Sequence, residues 1–313
     1  MRSDADNLKL LIKGMRNAYF RGENAMEYAR SQLGALNGNY SNDIIATLIA
    51  YDLQSGSYIA NVKKNHHFYE NWSRQLANIL DPLIEPYSSI CEVGCGEATT
   101  MSGILSHLKN RPDIVFGFDL SWSRINCGNE YLRDNEQKAK LFVADMFSIP
   151  FMSNSIDIVY SSHSLEPNGG KEREAIAELL RISRKWVVLV EPIYELASEE
   201  ARKRMDSHGY VKDLRRAAEI CGAKVIDQYL LEHISNSLNP SGLLLLEKQI
   251  KNAANSTQWA CPITGNRLID DGDIFISENT GLIYPVIRGI PMLRAEHAIV
   301  ASGATKEVLT REG

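Results

Sequence analysis

A glycine-rich turn after a short apolar run is the first place where this sequence could do chemistry. The run SICEV ends at Val93 and leads into Gly94, Cys95 and Gly96, after which the chain has the character of a helix. Glycine at a strand-to-helix turn lets the backbone come close to a ligand, and the amides at the helix start face that ligand. The pattern predicts a nucleotide or nucleoside cofactor, with a purely structural turn as the alternative.

Two neighbouring residues bear on which cofactor this turn would hold. Thr99 stands where the dinucleotide fingerprint G-x-G-x-x-G requires its third glycine. Glu92 precedes the first glycine by two positions, and a carboxylate there would repel the pyrophosphate of NAD. S-adenosylmethionine carries a cationic amino group instead. The acid therefore favours S-adenosylmethionine, unless it is incidental to a structural turn.

Asp119 closes the second apolar run, IVFGFD. A carboxylate at the end of this strand can accept hydrogen bonds from both hydroxyls of a ribose. Asp is also a favoured helix cap, so capping of the stretch SWSRINCG that follows is the alternative.

A general base is the remaining candidate group, and it is needed only where a substrate must lose a proton. Otherwise a group transfer asks the protein mainly to align the reactants and to exclude water. His163 is the best candidate, because imidazole titrates near neutrality and this residue follows the fourth apolar run. Packing over the cofactor is its alternative role. Glu166 and Glu191 are further candidates, with positioning or capping as their alternatives.

The elements that must position these residues are strands and helices in alternation. Short apolar runs alternate with longer amphipathic stretches, which predicts a parallel sheet with crossover helices. RMDSHGYVKDLRRAAEICG predicts one further helix, and AKVIDQYLLEHI and GLLLLEKQI predict an antiparallel hairpin after it. We therefore expect an α/β fold with a Rossmann-like sheet that ends in a hairpin. The predicted parallel strands are SICEVG, IVFGFD, AKLFVAD, IDIVYSS and WVVLVEP.

Residue spacing and composition outside this sheet predict four further segments of the chain. Residues 1–83 read as an N-terminal helical cap, because apolar side chains recur there at three- and four-residue spacing. Residues 84–250 contain the sheet, KNAANSTQ is a polar linker, residues 256–295 form a small β-rich module, and residues 296–313 are a loosely held tail. Aromatic residues of the cap could line a lid or simply pack the cap onto the sheet: Tyr51, Tyr58, His66, His67 and Tyr69. Tyr58 is the favoured ligand contact, because SGS before it predicts a turn.

Taken in order, these motifs resemble the class I S-adenosylmethionine-dependent methyltransferases, especially those that act on small molecules, over about residues 85–250. EVGCGEA is similar to the family's first motif, with Ala98 where a third glycine is usual. Asp145, which alone would be an ordinary turn residue, would accept the adenine amino group. The resemblance implies a cofactor site formed by Glu92, Gly94, Cys95 and Gly96 in the glycine loop, Asp119 at the ribose, Leu120, Trp122, Asp145 and Met146 around adenine, and Ser161 and Ser162 at the methionine part.

The segment from Cys261 to Leu293 resembles a small zinc-ribbon-like family of methyltransferase activators. The shared phrase here consists of Tyr284, Pro285, Gly289, Ile290 and Pro291. Relatives that hold zinc begin with paired cysteines, whereas this chain has Thr264 at the next ligand position, so we expect no metal. Such a module would contact the catalytic domain or a second subunit, and the latter would make the protein a homo-oligomer.

Composition narrows the function classes. The formal net charge is −5 and no basic run stands out, so the attraction that drives most nucleic-acid binding is missing. The sequence lacks an apolar run of about 18 residues and a signal-peptide pattern, so neither a membrane span nor secretion is expected and the cytoplasm is the predicted location. Five scattered cysteines do not describe a disulfide framework.

The leading hypothesis is an enzyme that transfers a methyl group from S-adenosylmethionine to an oxygen or nitrogen atom of a small polar metabolite, such as a sugar or a natural-product intermediate. An RNA or protein methyltransferase is one alternative. A noncatalytic protein that retains the fold is another.

Overall fold

The computed structural model describes residues 4–37, 44–249 and 257–303. The predicted linker KNAANSTQ lies mostly outside these ranges, as do the last ten residues of the predicted tail, 304–313. Within them, no helix is both long and apolar enough to cross a membrane. The N-terminal part is helical: α1 Asp4–Phe20, α2 Ala25–Asn37, α3 Ile44–Leu53, α4 Ser57–Lys64 and α5 His66–Leu80.

A seven-stranded sheet forms the centre, with the order β3-β2-β1-β4-β5-β7-β6. The first five strands are parallel, and β7 runs antiparallel between β5 and β6. This confirms the predicted Rossmann-like α/β fold with its terminal hairpin. The strands are β1 Ser89–Val93, β2 Ile114–Asp119, β3 Lys140–Val143, β4 Ile156–Ser162, β5 Ser183–Pro192, β6 Ala223–Leu230 and β7 Ser241–Lys248.

Crossover helices connect the parallel strands as predicted, and the chain differs from the prediction before β6. They are α6 Thr99–His107, α7 Trp122–Asp134 and α8 Glu172–Ile182. Where one helix was predicted before β6, the chain forms two, α9 Glu199–His208 and α10 Leu214–Ile220. The prediction was wrong because Gly209 adopts the left-handed conformation (φ 65°) that terminates α9.

Close packing of α5 on α6 fixes the last N-terminal helix against the sheet domain. Gly103 faces α5 so closely that a Cβ there would overlap the Ser73 side chain. Trp72, Leu76 and Leu80 on α5 are buried in one core with residues of α6 and the central strands. The position of α5, and therefore of Trp72, is set by the sheet domain.

The C-terminal part is a small antiparallel sheet that lies against the β3 edge of the central one. The Leu293 amide donates to the carbonyl of Val143 at 2.8 Å, and Met292 forms a parallel bridge with Val143. Trp259 stacks on Phe151 with ring centroids 4.6 Å apart. The module therefore contacts the sheet domain of its own chain. Its strands are β8 Leu268–Asp270, β9 Ile274–Ser277, β10 Leu282–Ile287, β11 Ile290–Pro291 and β12 Ile299–Val300.

Candidate active site

The glycine loop after β1 has a backbone conformation that favours glycine. Gly94 and Gly96 have φ of 68° and 54°, values that L side chains rarely adopt. A Cβ on Gly94 would also overlap the side chain of Ser164, so the loops after β1 and β4 touch at this point. The side chain of Cys95 is buried, and its amide donates to the Phe118 carbonyl of β2 at 2.8 Å. A cofactor contact by Cys95 stays a prediction.

Glu92 lies beneath the loop as a buried acid, 2% exposed. Its carboxylate accepts a hydrogen bond from the Tyr160 hydroxyl at 3.0 Å. Burial raises the pKa of Glu92 to about 8, the nearby Asp119 adds to the rise, and the Tyr160 bond opposes it. The carboxyl is therefore largely protonated at neutral pH, and a cation placed beside it would draw its proton off.

Asp119 is held at the end of β2 by two backbone amides. Its carboxylate oxygens accept from Gly96 at 3.1 Å and from Ser121 at 2.9 Å. Burial raises the pKa of Asp119, and the positive charge of Arg124 counteracts this. The cap of α7 is Ser121, which accepts the Arg124 amide, so helix capping does not account for Asp119. A carboxylate has about four acceptor positions, which leaves room for two ribose hydroxyls.

The residues predicted around adenine lie in the loops after β2 and β3. Leu120 and Met146 are half-buried. The Asp145 carboxylate accepts the Phe147 amide at 2.9 Å, an ordinary turn bond. Asn168 donates to the sulfur of Met146 at 3.8 Å, which connects this loop to the one after β4. These adenine contacts stay predictions.

The three candidate bases converge after β4 and β5. His163 Nδ1 lies 2.8 Å from Glu166 Oε2, and Nε2 lies 2.6 Å from the Ser241 hydroxyl. The Trp72 ring lies 5.9 Å from the imidazole between centroids. Burial lowers the pKa of His163, but Glu166 and then Glu191 raise it by more, so the net shift is upward.

Glu191 anchors the loop that carries His163. It is fully buried, and its carboxylate accepts the amides of Ser164, Leu165 and Glu166, each at 3.1 Å. Burial raises the pKa of Glu191 to about 7. These bonds support the predicted alternative of positioning, because they hold the loop after His163, itself at φ 56°. Of the two serines before it, Ser161 is fully buried and Ser162 is partly exposed.

Glu97, which the sequence reasoning passed over, joins the glycine loop to the N-terminal helices. It is 1% exposed and accepts the amides of Gly56 at 2.9 Å and Ile59 at 2.8 Å. These amides belong to the first turn of α4, where the helix dipole favours an anion. The available signal was an acid directly after Gly96 combined with the SGS turn.

Arg124 makes the second connection to the N-terminal helices. Its guanidinium lies 4.8 Å from the centroid of the Tyr51 ring and 4.7 Å from that of Tyr58, and Nε donates to the Tyr51 carbonyl at 2.9 Å. Nearby, Ser121 donates to Asp52 at 2.8 Å. A basic residue in the first turn of a helix opposes the dipole, and that cost was the signal in the sequence.

The ring-bearing candidates of the cap differ in their surroundings. Tyr51 and Tyr58 face Arg124, whereas His66 and His67 are exposed. The hydroxyl of Tyr69 accepts a hydrogen bond from Asn61 at 2.6 Å. Burial raises the pKa of Tyr51, the neighbouring Tyr58 adds to the rise, and the positive charge of Arg124 opposes it.

Orphaned polar atoms test whether these residues suit a bound nucleoside. Among the described residues, neither Nη2 of the buried Arg124 nor Oγ of Ser164 has a hydrogen-bond partner. A buried donor without a partner is costly, and both residues adjoin the glycine loop. Together with Asp119 and the space at Gly96, where the Arg124 guanidinium at 3.5 Å is the nearest described group to a Cβ position apart from the adjoining residues, this set fits S-adenosylmethionine.

Comparison with solved structures gives distant similarities. A chain of the complex between the Haloferax volcanii Trm112 methyltransferase activator and a methyltransferase has 13% identity and a TM-score of 0.49, covering 62% of this chain and 94% of that chain. A sarcosine dimethylglycine methyltransferase from Galdieria sulphuraria has 11% identity and a TM-score of 0.45, covering 57% and 84%. Geranyl diphosphate C-methyltransferase from Streptomyces coelicolor A3(2) has 14% identity and a TM-score of 0.46, covering 62% and 85%.

Sequence comparison identifies the central part of the chain. No curated protein matches it. Residues 90–185 match a family described as a methyltransferase domain. The matched range runs from β1 to the start of β5 and contains the glycine loop, Asp119, His163 and Glu166. The sheet domain is therefore that of an S-adenosylmethionine-dependent methyltransferase.

Proposed function

We propose that this protein methylates an oxygen or nitrogen atom of a small polar metabolite. The observation that carries the proposal is the pair His163–Glu166, with Nδ1 and Oε2 2.8 Å apart, next to a glycine loop shaped for the cofactor. A general base is useful when the acceptor is a hydroxyl or an amine that loses a proton. The alternatives of RNA and protein acceptors find no comparable support in the described residues.

Cofactor binding is assigned to the residues on the carboxyl edge of β1 to β3. Asp119 would accept the ribose hydroxyls, Gly94 and Gly96 would let the backbone approach, and Glu92 would offset the cationic amino group. The adenine and methionine contacts proposed for Leu120, Asp145, Met146, Ser161 and Ser162 rest on the family resemblance. When bound, S-adenosylmethionine supplies a methyl carbon already activated by its sulfonium.

Proton removal is assigned to His163, with Glu166 as its orienting partner. The carboxylate of Glu166 only accepts, so His163 carries its hydrogen on Nδ1 and has the lone pair of Nε2 with which to take up a proton. The positive charge that His163 gains is then offset by Glu166. Glu191 contributes by holding the loop that carries both residues.

A small acceptor is supported by the elements that cover this edge of the sheet. Glu97 ties α4 over the glycine loop, and the Trp72 ring of α5 lies beside that of His163. Helices that approach this edge from the N-terminal part would leave less access for a long polymer than for a small molecule.

The division of the chain is part of the same proposal. Residues 1–83 would act as the cap, 84–250 as the catalytic domain and 256–295 as a metal-free module that supports the β3 edge. Cys261, the remaining zinc-type position, is buried and lies 3.1 Å from the Tyr284 hydroxyl. The likeness of this module to methyltransferase activators agrees with a supporting role.

Calorimetry followed by an acceptor screen tests the function. We expect S-adenosylmethionine to bind in preference to NAD, and Asp119→Ala to bind it at least about tenfold more weakly. Release of S-adenosylhomocysteine would then be measured with panels of sugars, amines and phenols, with His163→Gln as the inactive control. Binding of NAD alone, unchanged cofactor affinity in Asp119→Ala, or methylation confined to RNA or protein would contradict the proposal.

A further inference from the structure

Ser241 occupies the second nitrogen of the candidate base. It is the first residue of β7 and pairs with Pro192 at the carboxyl end of β5, so the antiparallel strand brings it to the same edge as His163. Ser241 is 1% exposed, and its Oγ lies 2.6 Å from His163 Nε2. Since Nδ1 is bonded to Glu166, a continuous chain runs Ser241–His163–Glu166.

The protonation state of this chain follows from what each group can donate. Glu166 Oε2 also accepts from Asn239 Nδ2 at 3.2 Å, so this carboxylate oxygen is an acceptor for both neighbours. The imidazole therefore donates from Nδ1, and in its neutral form it must accept the Ser241 hydrogen at Nε2. The single lone pair of the base is thus already directed at a serine hydroxyl.

We propose that Ser241 is a proton relay between the methyl acceptor and His163. This inference rests on the proposed function. The acceptor's hydrogen passes to Ser241 Oγ while the Ser241 hydrogen passes to Nε2, and the acceptor keeps the electron pair with which it attacks. Ser241 ends unchanged, and His163 ends as an imidazolium that faces the Glu166 carboxylate.

The surroundings suit such a step. The ionisable groups that act on His163 are Glu166 on its own loop and Glu191 on β5, and both are acids that stabilise the proton on its ring. Tyr210 reaches Glu166 from beyond α9, and the α5 residue beside the ring is the uncharged Trp72. The Ser241 side chain is almost fully buried, whereas that of His163 is 29% exposed, so water has little access to the serine hydroxyl itself.

Serine variants with two readouts test the relay. In Ser241→Ala we expect the ¹⁵N resonance of His163 Nε2 to shift as its partner is lost, and kcat with the screened acceptor to fall by about a hundredfold. Ser241→Thr keeps the hydroxyl and should restore most of kcat. The matched control is Ser183→Ala, which removes another fully buried serine, bonded to the Leu180 carbonyl at 3.3 Å, and should leave both readouts unchanged.

The outcomes separate the two proposals. An Nε2 resonance that is the same in wild type and Ser241→Ala overturns the relay, and so does a full kcat in Ser241→Ala. A wild-type protein that methylates no acceptor overturns the proposed function, and the relay falls with it. Equal losses in Ser241→Ala and Ser241→Thr, with both variants folded, also overturn the relay, because the hydroxyl would then be irrelevant.

Discussion

The carboxylate of Glu97 lies 2.8 Å from the amide of Ile59 and so joins the glycine loop to the first turn of α4. Both ends matter: Glu97 is buried, and the residue before α4, Gly56, provides no side-chain cap for the helix. The anion from the sheet domain takes the place of that cap. Consequently, α4 is held in place by the same loop that would bind the cofactor.

Replacing Glu97 by Gln should weaken the attachment of α4 to the glycine loop. The amide keeps the shape of the side chain but loses the charge and one acceptor oxygen, so the α4 amides are less well satisfied. We expect S-adenosylmethionine to bind about tenfold more weakly, a loss of roughly 1.4 kcal/mol, and protease to cut faster between residues 51 and 59. The control is Glu130→Gln on the exposed face of α7. Equal cutting rates in both variants would contradict the role of Glu97.

Cofactor binding should release a proton from Glu92. Its pKa is raised to about 8 by burial, so the free protein holds this proton at neutral pH. A cationic amino group nearby would lower that pKa, and affinity should therefore rise as the pH increases from about 6 towards 7.5. Calorimetry in two buffers of different ionisation enthalpy measures the proton released. Glu92→Gln should release none, and an unchanged release in this variant would place the proton elsewhere.

Residues next to strand ends were predictable from the sequence. Gly94, Asp119 and His163 each follow an apolar run, and parallel strands bring their carboxyl ends to one edge of the sheet. The alternation of apolar runs with amphipathic stretches therefore predicted both the fold class and the position of these residues at one edge. The hairpin was predictable from a different signal, because β6 and β7 are separated by a loop rich in turn residues.

Partners distant in the chain were not predictable. Gly56 and Glu97 are 41 positions apart, and His163 and Ser241 are 78 positions apart. Their contacts depend on how α4 and the antiparallel β7 dock, which no local pattern encodes. The break at Gly209 was missed for a different reason: helical spacing continues on both sides of it, and the left-handed conformation of one glycine outweighs that spacing.

Removing the charge of Glu166 should change the pH dependence of turnover. Glu166 raises the pKa of His163 against the opposing effect of burial, so Glu166→Gln should lower that pKa. A base with a lower pKa loses its proton at lower pH. The acidic limb of the kcat profile should therefore move to lower pH, while the maximum rate falls because the imidazolium is no longer offset. Glu174→Gln on the exposed side of α8 is the control, and a shift in the opposite direction would exclude Glu166 as the partner.

Trp259 should determine the stability of the sheet domain although it lies outside it. Its ring stacks on Phe151 and also meets Phe116, Phe142 and Phe275. Cys261, Leu268 and Leu293 of the same module share a buried core with the central strands. Trp259→Ala should therefore lower the free energy of unfolding by about 3 kcal/mol.

Denaturant unfolding followed by far-ultraviolet circular dichroism and by tryptophan fluorescence measures this effect. Because the core is continuous, both signals should move together in Trp259→Ala and keep a single transition. Ile263→Ala, in the same module but at a side chain that is 52% exposed, should change stability by less than about 0.5 kcal/mol. Two separate transitions in the wild type would mean that the module folds independently. That result would contradict the proposed role of the module in supporting the β3 edge and the loop of Asp145 and Met146.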